Sequence, residues 1–175
     1  MKNSLLKAFI TLSVTCIAIG SYAQAKIKRP HVLIGANVSY SNPQSNFANT
    51  YKFGVGGEIF GGIGAGKTYL VVTLGTAKFM GQKENPYGNL TYNPVKIGLR
   101  QFLILNKIFV SGDVGTAYLK DKTMSNSVSR LSADVGAGVR LLGLEGGIYY
   151  NGWKSVHTGG FSGNVQVKLG WSITL

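Results

Sequence analysis

The chain has 175 residues, including 25 glycines, with 45% hydrophobic residues, 14% charged residues and a formal net charge of +12. This length suits one domain. Only four prolines and no Gly-X-Y repeat exclude collagen, and 11% aromatic residues exclude a disordered chain. The positive charge calls for a polyanionic partner, and its distribution favours a membrane surface over nucleic acid.

The first 23 residues have the three parts of a secretory signal peptide. A basic start at Lys2 and Lys7 precedes an apolar run, which ends in a small-x-small cleavage site at residues 21–23. The apolar run is shorter than the about 20 residues of a membrane anchor. We therefore predict cleavage after residue 23 and a mature domain of residues 24–175. Cys16 is the only cysteine, so cleavage leaves no thiol for a disulfide or a metal site.

Apolar and polar residues alternate along eight segments after the leader. In the last of them every second residue from Phe161 to Leu175 faces one side, and most of these are apolar. A period of two predicts a β-strand with one apolar face, and about 10 residues suffice for a tilted strand to span a bilayer. The other segments are residues 32–41, 51–59, 68–79, 95–100, 110–118, 130–141 and 144–151. The sequence leaves the facing of residues 68–79 open.

Long and short connections alternate between these strands. The polar loops are residues 42–50, 80–89, 120–128 and 152–160, and the tight turns are residues 61–66, 106–107 and 142–143. An even strand count with this layout predicts an all-β fold, an eight-stranded antiparallel transmembrane β-barrel with four longer outer loops and three short periplasmic turns. A soluble β-sandwich also alternates, but its polar face would be rich in Lys, Glu and Thr rather than in Gly.

The face opposite the apolar one carries glycine and charges of both signs. Its four acidic and six basic residues are Glu58, Asp113, Asp134, Glu145, Lys52, Lys96, Arg100, Arg130, Arg140 and Lys168. Eight strands leave an interior just wide enough for side chains to fill. We therefore predict a lumen plugged by ion pairs, with a narrow basic pore as the alternative.

The leader, the eight strands and the closing segment VQVKLGWSITL resemble small outer-membrane β-barrel proteins of Gram-negative bacteria. The resemblance is broadly to the porin-like and OmpA/OmpX-like families, and the glycine-rich strands resemble Bacteroidota members. The resemblance covers residues 24–175 and implies an outer-membrane location. It also implies recognition of the last strand by the barrel-assembly machinery, although Leu175 stands where those families have an aromatic residue. Such families include structural proteins, adhesins, lipid-modifying enzymes and narrow pores, so the fold leaves the function open.

Two motifs suggest chemistry that their context does not support. Gly61, Gly66, Lys67 and Thr68 match the phosphate-binding loop G-x-x-x-x-G-K-T, but a strand follows where that loop needs a helix. Ser155 and His157 lie two residues apart and would face the same way in an extended segment, which is the basis of a hydrolase alternative.

A catalytic pair needs an acid to orient the histidine and a donor for the oxyanion, and neither lies near Ser155 in the sequence. The only other histidine is His31, so a site with several histidine ligands is not available. We therefore predict no catalytic residue, no cofactor and no metal, and no nucleotide or nucleic-acid partner.

Aromatic residues near the strand ends are expected to face lipid at the two membrane interfaces, because we expect no room for an aromatic core. The outer set is Tyr40, Tyr51, Phe53, Phe79, Tyr92, Tyr118, Tyr150, Trp153 and Phe161, and the inner set is Trp171 and Phe109. The outer loops also carry Lys83, Lys120, Lys122 and Lys154, which would meet lipopolysaccharide phosphates. A solvated loop explains these lysines equally well.

These features favour a non-enzymatic, monomeric outer-membrane protein that serves structure or surface binding through its outer loops. A lipid-modifying hydrolase that uses Ser155 and His157 and a narrow small-solute pore are the alternatives.

Overall fold

The computed structural model describes residues 30–155 and 160–175, so the leader and its cleavage site lie outside the described residues. The eight strands are β1 (Pro30–Gln44), β2 (Tyr51–Ala65), β3 (Thr68–Gly81), β4 (Leu90–Phe102), β5 (Ile108–Lys120), β6 (Val128–Leu141), β7 (Leu144–Lys154) and β8 (Phe161–Thr174). Each strand pairs antiparallel with the next, and β8 pairs with β1, so the sheet closes into a barrel. The predicted eight-stranded antiparallel barrel is confirmed.

The connections differ in length at the two ends of the barrel. Residues 66–67, 103–107 and 142–143 join strands at one end, which we call the turn end. Residues 45–50, 82–89, 121–127 and 155–160 join strands at the other, the loop end, where residues Asn46–Thr50 form a short helix, α1. Among the described residues, no helix is long and apolar enough to cross a membrane.

The predicted turn at residues 61–66 is wrong in its bounds, because β2 continues to Ala65. The glycines that suggested a turn instead allow close approach of the neighbouring strand. A Cβ on Gly62 would lie 2.6 Å from the carbonyl oxygen of Leu70. Of the glycines in residues 61–66, only Gly66 has a positive φ, 70°. The phosphate-loop motif therefore begins on β2, passes through the turn at residues 66–67 and ends on β3, with no helix after it.

Exposure alternates along the strands and resolves the facing of β3. Leu70, Val72 and Leu74 are each close to half-exposed on the outside of the barrel, whereas Tyr69 and Val71 are buried inside. Both faces of β3 are therefore apolar toward the turn end, which explains why the sequence pattern could not distinguish them. The outward residues of all eight strands form an exposed apolar belt far larger than soluble monomers carry.

Aromatic side chains fill both ends of the lumen. The cluster toward the loop end contains Phe47, Tyr51, Ala77, Phe79, Leu90, Tyr92, Ala117, Leu119 and Trp153. The cluster toward the turn end contains Leu33, Phe60, Tyr69, Val71, Phe102, Phe109 and Tyr149. The expectation of an interior without room for aromatic rings is therefore wrong.

Five aromatic residues predicted to face lipid instead point inward: Tyr51, Phe79, Tyr92, Trp153 and Phe109. Glycines on adjacent strands make room for two of them, Phe79 and Phe109. A Cβ on Gly54 would lie 2.7 Å from the Phe79 ring, and a Cβ on Gly138 would lie 2.5 Å from the Phe109 ring. The others face outward as expected, with Tyr40, Tyr118, Tyr150, Phe161 and Trp171 about half-exposed and Phe53 stacked on Tyr40.

Candidate functional site

Four buried charges form a closed ring across the middle of the lumen. Glu58, Lys96, Asp134 and Lys168 lie on β2, β4, β6 and β8, so every second strand contributes one charge and the signs alternate. Lys96 Nζ lies 3.3 Å from Glu58 Oε1 and also pairs with Asp134. Lys168 Nζ closes the ring, at 2.6 Å from Glu58 Oε2 and 3.7 Å from Asp134 Oδ2.

The ring is almost fully shielded from solvent. The side chains of Lys96 and Asp134 are fully buried, and those of Glu58 and Lys168 are nearly so. Each charge has two partners of opposite sign, so the ring is neutral as a whole. This arrangement offsets the cost of removing four ions from water, which is several kcal/mol per unpaired ion.

A second ion pair lies between the ring and the turn end. Arg100 Nη1 donates to Glu145 Oε2 at 3.0 Å, and Ser172 Oγ donates to the other oxygen of Glu145 at 2.5 Å. The guanidinium carbon of Arg100 lies 4.4 Å from the centre of the Phe60 ring and 4.7 Å from that of Phe109. Cation–π contacts with two rings of the aromatic cluster thus hold Arg100 in place together with its ion pair to Glu145.

The remaining members of the predicted lumenal set lie outside these ion pairs. Asp113 faces Asp134 across the β5–β6 ladder. Arg140 donates to Thr174 Oγ1 at 3.0 Å near the turn end, and Arg130 donates to the Ser129 carbonyl at 3.0 Å.

The prediction for Lys52 is wrong, because its side chain is exposed on the outside at the loop end. The β2–β3 register shifts between Tyr51 and Phe53. An irregularity of this kind reverses the side-chain alternation, so Tyr51 points inward and Lys52 outward.

Above the ring, the lumen is closed by a hydrogen-bonded layer and then by aromatic rings. Tyr92 Oη lies 2.7 Å from Ser132 Oγ and accepts from Asn151 Nδ2 at 3.1 Å. Phe47 of α1 folds over this layer, with its ring centre 5.1 Å from those of Phe79 and Trp153. Sequence reasoning missed Phe47, although it is the one large apolar residue in the polar stretch of residues 42–50.

A small pocket of about 40 Å³ remains beside α1 at the loop end. Phe47, Tyr87, Trp153 and Phe161 form much of its wall, together with Ser155. His157, the proposed partner of Ser155, lies outside the described residues. Within residues 30–155 and 160–175, no group of three His, Cys, Asp or Glu side chains could hold a metal ion.

The lysines of the outer loops fall into separate places. Lys120 and Lys122 share one depression with Lys78 and Thr91. Thr91 pairs with Lys78 on one side and with Lys120 on the other, so these three residues form a row across β3, β4 and β5.

The other two predicted lysines lie apart from that row. Lys83 lies beside Lys52 and Glu84 in a second depression. Lys154 ends β7, where it pairs with Phe161 of β8. Sequence reasoning missed Lys78, because the facing of β3 was open, and it missed Thr91, because nothing in the sequence sets it apart.

No model of a known protein family matches the chain, and neither does any curated protein. Solved structures do resemble it. Ail, the attachment invasion locus protein of Yersinia pestis, in complex with the heparin analogue sucrose octasulfate, is 15% identical with a TM-score of 0.55, covering 83% of this chain and 99% of that one.

The outer-membrane protein Ail of Yersinia pestis in a phospholipid bilayer nanodisc is 14% identical with a TM-score of 0.56, covering 83% of this chain and 100% of that one. Neisserial surface protein A is 10% identical with a TM-score of 0.55, covering 80% and 96%. At these identities the likeness shows a shared fold, and the expected resemblance to small outer-membrane barrels is confirmed at that level.

Proposed function

We propose that this chain is a non-enzymatic outer-membrane β-barrel with a lumen closed to solutes, which binds at the cell surface through its loop end. The observation that carries the proposal is that the closed barrel has apolar residues outside and charged residues inside, the reverse of a soluble protein. Val38, Ile59 and Leu131 are more than half-exposed on the outside, while Lys96 and Asp134 are buried inside. A lipid bilayer is the solvent that stabilises this arrangement.

The orientation follows from the connections. In outer-membrane barrels short turns face the periplasm and longer loops face outward. The turn end would then lie in the periplasm, with the loop end outside the cell. Cleavage after residue 23, insertion by the barrel-assembly machinery through β8 and a monomeric state complete the proposal. Amino-terminal sequencing of protein from outer-membrane fractions tests the first of these, and finding Met1 intact would contradict it.

Closure of the lumen is supported by the charge ring and by the aromatic layer above it. Solutes would have to pass between Lys96 and Asp134, which are in contact, and then past Phe47. We expect the refolded barrel to give no steady conductance in planar bilayers. The slower migration of heated samples on a gel verifies that the inserted protein is folded. Steady conductance from folded protein would instead support the pore alternative.

Surface binding is supported by the row of Lys78, Thr91 and Lys120 with Lys122 beside it. Neighbouring strands lie about 4.8 Å apart, so the two lysines of the row flank one hydroxyl within reach of a single phosphate or sulfate. This end carries the lysines for which the sequence suggested contact with lipopolysaccharide phosphates or, equally well, a solvated loop. The structure of Ail with a sulfated sugar shows that a barrel of this fold accepts a polyanion.

The test compares two triple variants of equal charge. The first variant removes the lysines of the row and its neighbour by combining Lys78→Gln, Lys120→Gln and Lys122→Gln. The second removes three other lysines of the loop end by combining Lys52→Gln, Lys83→Gln and Lys154→Gln. We expect the first variant to lose most of its binding to lipopolysaccharide-containing vesicles and the second to lose little, with binding weakened by salt. Equal losses would show that only net charge matters, and the row would not be a site.

The hydrolase alternative makes a separate prediction. Changing Ser155 to Ala would abolish lipid hydrolysis by the refolded barrel, and we expect no such activity in either protein. Turnover of lipid that Ser155→Ala removes would replace the present proposal.

A further inference from the structure

Two of the three turns at the turn end are unusually apolar and exposed. Leu103 and Ile104 lie on the outside of the β4–β5 turn, and Leu105 is 76% exposed at its tip. Leu142, at the tip of the β6–β7 turn, is 95% exposed. Turn tips in water are usually polar, with Gly, Asn, Asp or Ser.

The backbone at the two tips is also unfavourable for leucine. Leu142 and Gly143 form a two-residue hairpin loop with φ values of 52° and 89°, and Leu105 has a φ of 49°. A hairpin loop with two positive φ angles strongly favours Asn-Gly, because asparagine tolerates the left-handed region better than leucine does. Both tips thus carry a residue that suits neither the backbone nor water, which indicates that an apolar environment compensates.

The apolar belt reaches these tips along β5, β6 and β7, whereas an exposed hydrogen bond between Thr68 and Gln101 interrupts it on β3 and β4. Leu141 and Leu144, which flank the β6–β7 turn, are 61% and 66% exposed, and Ile108 follows the β4–β5 turn on the outward face. The backbone N–H of Arg140 donates to the Lys107 carbonyl at 2.6 Å, so the two turns lie side by side. The loop end differs, because Lys78, Thr91 and Lys120 interrupt the belt there.

The charges at the turn end suit phosphate groups. The three turns contain Lys67 and Lys107 and no acidic residue. Lys67 Nζ donates to the Leu103 carbonyl at 2.9 Å, which keeps its ammonium group beside the apolar tip. An apolar tip with ammonium groups next to it matches the boundary between acyl chains and headgroups of a phospholipid leaflet.

We propose that the turn end is a lipid anchor, in which Leu105 and Leu142 insert into the inner phospholipid leaflet of the outer membrane while Lys67 and Lys107 contact its phosphates. This inference rests on the proposed membrane location. It gives the barrel an asymmetric position, with the turns immersed and the loop end projecting into water.

Spin labels on single cysteines measure the depth of these positions. Residues 24–175 contain no cysteine, so Leu105→Cys, Leu142→Cys, Val167→Cys and Lys83→Cys each carry one label. The proteins are refolded in vesicles of phosphatidylethanolamine and phosphatidylglycerol, with a nickel chelate on both sides of the membrane. We expect labels at positions 105 and 142 to collide more with oxygen than with nickel, as in lipid, and the label at position 83 to show the reverse.

The label at position 167 separates failure of the anchor from failure of the membrane location. Positions 105 and 142 could prove as accessible to nickel as position 83, with position 167 protected. The turns would then lie in water and the anchor would be overturned. A soluble protein would be the remaining candidate for covering the apolar tips. If position 167 is also accessible to nickel, the proposed location itself fails. Adding Lys107→Gln to Leu105→Cys should raise nickel accessibility, and an unchanged value would overturn the phosphate contact.

A substitution with opposite expectations gives a second test. In water, Leu142→Asn would stabilise the hairpin, because asparagine suits a φ of 52°. In lipid, it places an amide among acyl chains. We therefore expect the variant to unfold from vesicles at a lower urea concentration than the unmodified protein, and a higher midpoint would overturn the anchor.

Discussion

The charge ring allows a double-mutant test whose outcome depends on the geometry of the lumen. Asp134→Asn keeps the size of a fully buried side chain but leaves Lys96 with Glu58 alone as its acidic partner in the ring, at 3.3 Å. Removing one partner of a buried ion pair costs about 3–5 kcal/mol. Glu58 then becomes the shared acidic partner of both lysines, because Lys168 Nζ also lies 2.6 Å from it. Neither lysine is left without a partner in the ring. We expect a loss near the lower limit, about 3 kcal/mol.

Lys96→Met should cost a similar amount, because it leaves Asp134 with Lys168 at the longer distance of 3.7 Å. The double variant removes one charge of each sign and retains the Glu58–Lys168 pair. Its loss should therefore be at least about 2 kcal/mol smaller than the sum of the single losses, since groups in one network are not additive.

Urea unfolding of barrels refolded in vesicles measures these free energies, and the gel shift on heating reports the folded fraction. Glu84→Gln is the control, because this exposed loop residue should change stability by no more than about 0.5 kcal/mol. Additive losses, or an Asp134→Asn variant as stable as the control, would refute the ring as a source of stability.

Three further predictions concern the belt, the loop-end cover and the glycines. Val167→Arg in the middle of the belt should cost about 2–4 kcal/mol, whereas Thr76→Arg toward the loop end should cost about 0–1 kcal/mol, measured by the same unfolding assay. Phe47→Ala should destabilise the barrel by about 3–5 kcal/mol and yet give no conductance in planar bilayers, because the charge ring below still closes the lumen. Gly138→Ala should cost about 1–3 kcal/mol, since its Cβ would lie 2.5 Å from the Phe109 ring, whereas Gly61→Ala, with its nearest atom at 4.0 Å, should change little. Equal effects in either pair, or currents through the Phe47 variant, would contradict the assignment concerned.

The sequence could predict the barrel because the bilayer imposes a simple rule on every strand. Residues such as Val167, Leu169 and Trp171 must be apolar to face lipid, and their period of two is readable without any knowledge of neighbours. The same rule placed Lys96 and Asp134 inside, since a charge facing lipid would be costly. Alternation failed at Lys52, because an irregularity in the β2–β3 register shifts the phase, and the residues there show no sign of it.

The interior could not be predicted in the same way, because many different sets of side chains can fill a lumen provided that their shapes and charges match. Phe79, Tyr92, Phe109 and Trp153 suit an interface girdle as well as a core, and their inward facing depends on glycines or alanines on other strands, such as Gly54 for Phe79. The pairing of Lys96 with Glu58 and Asp134 likewise depends on register across several strands. The sequence by itself thus determined the strands, the closed sheet and, for the strands other than β3, the side that meets lipid, since these follow from local alternation. Only the tertiary structure decided which side chains fill the lumen, because that depends on contacts between strands, such as those of Lys96 with Glu58 and Asp134, each 38 positions away.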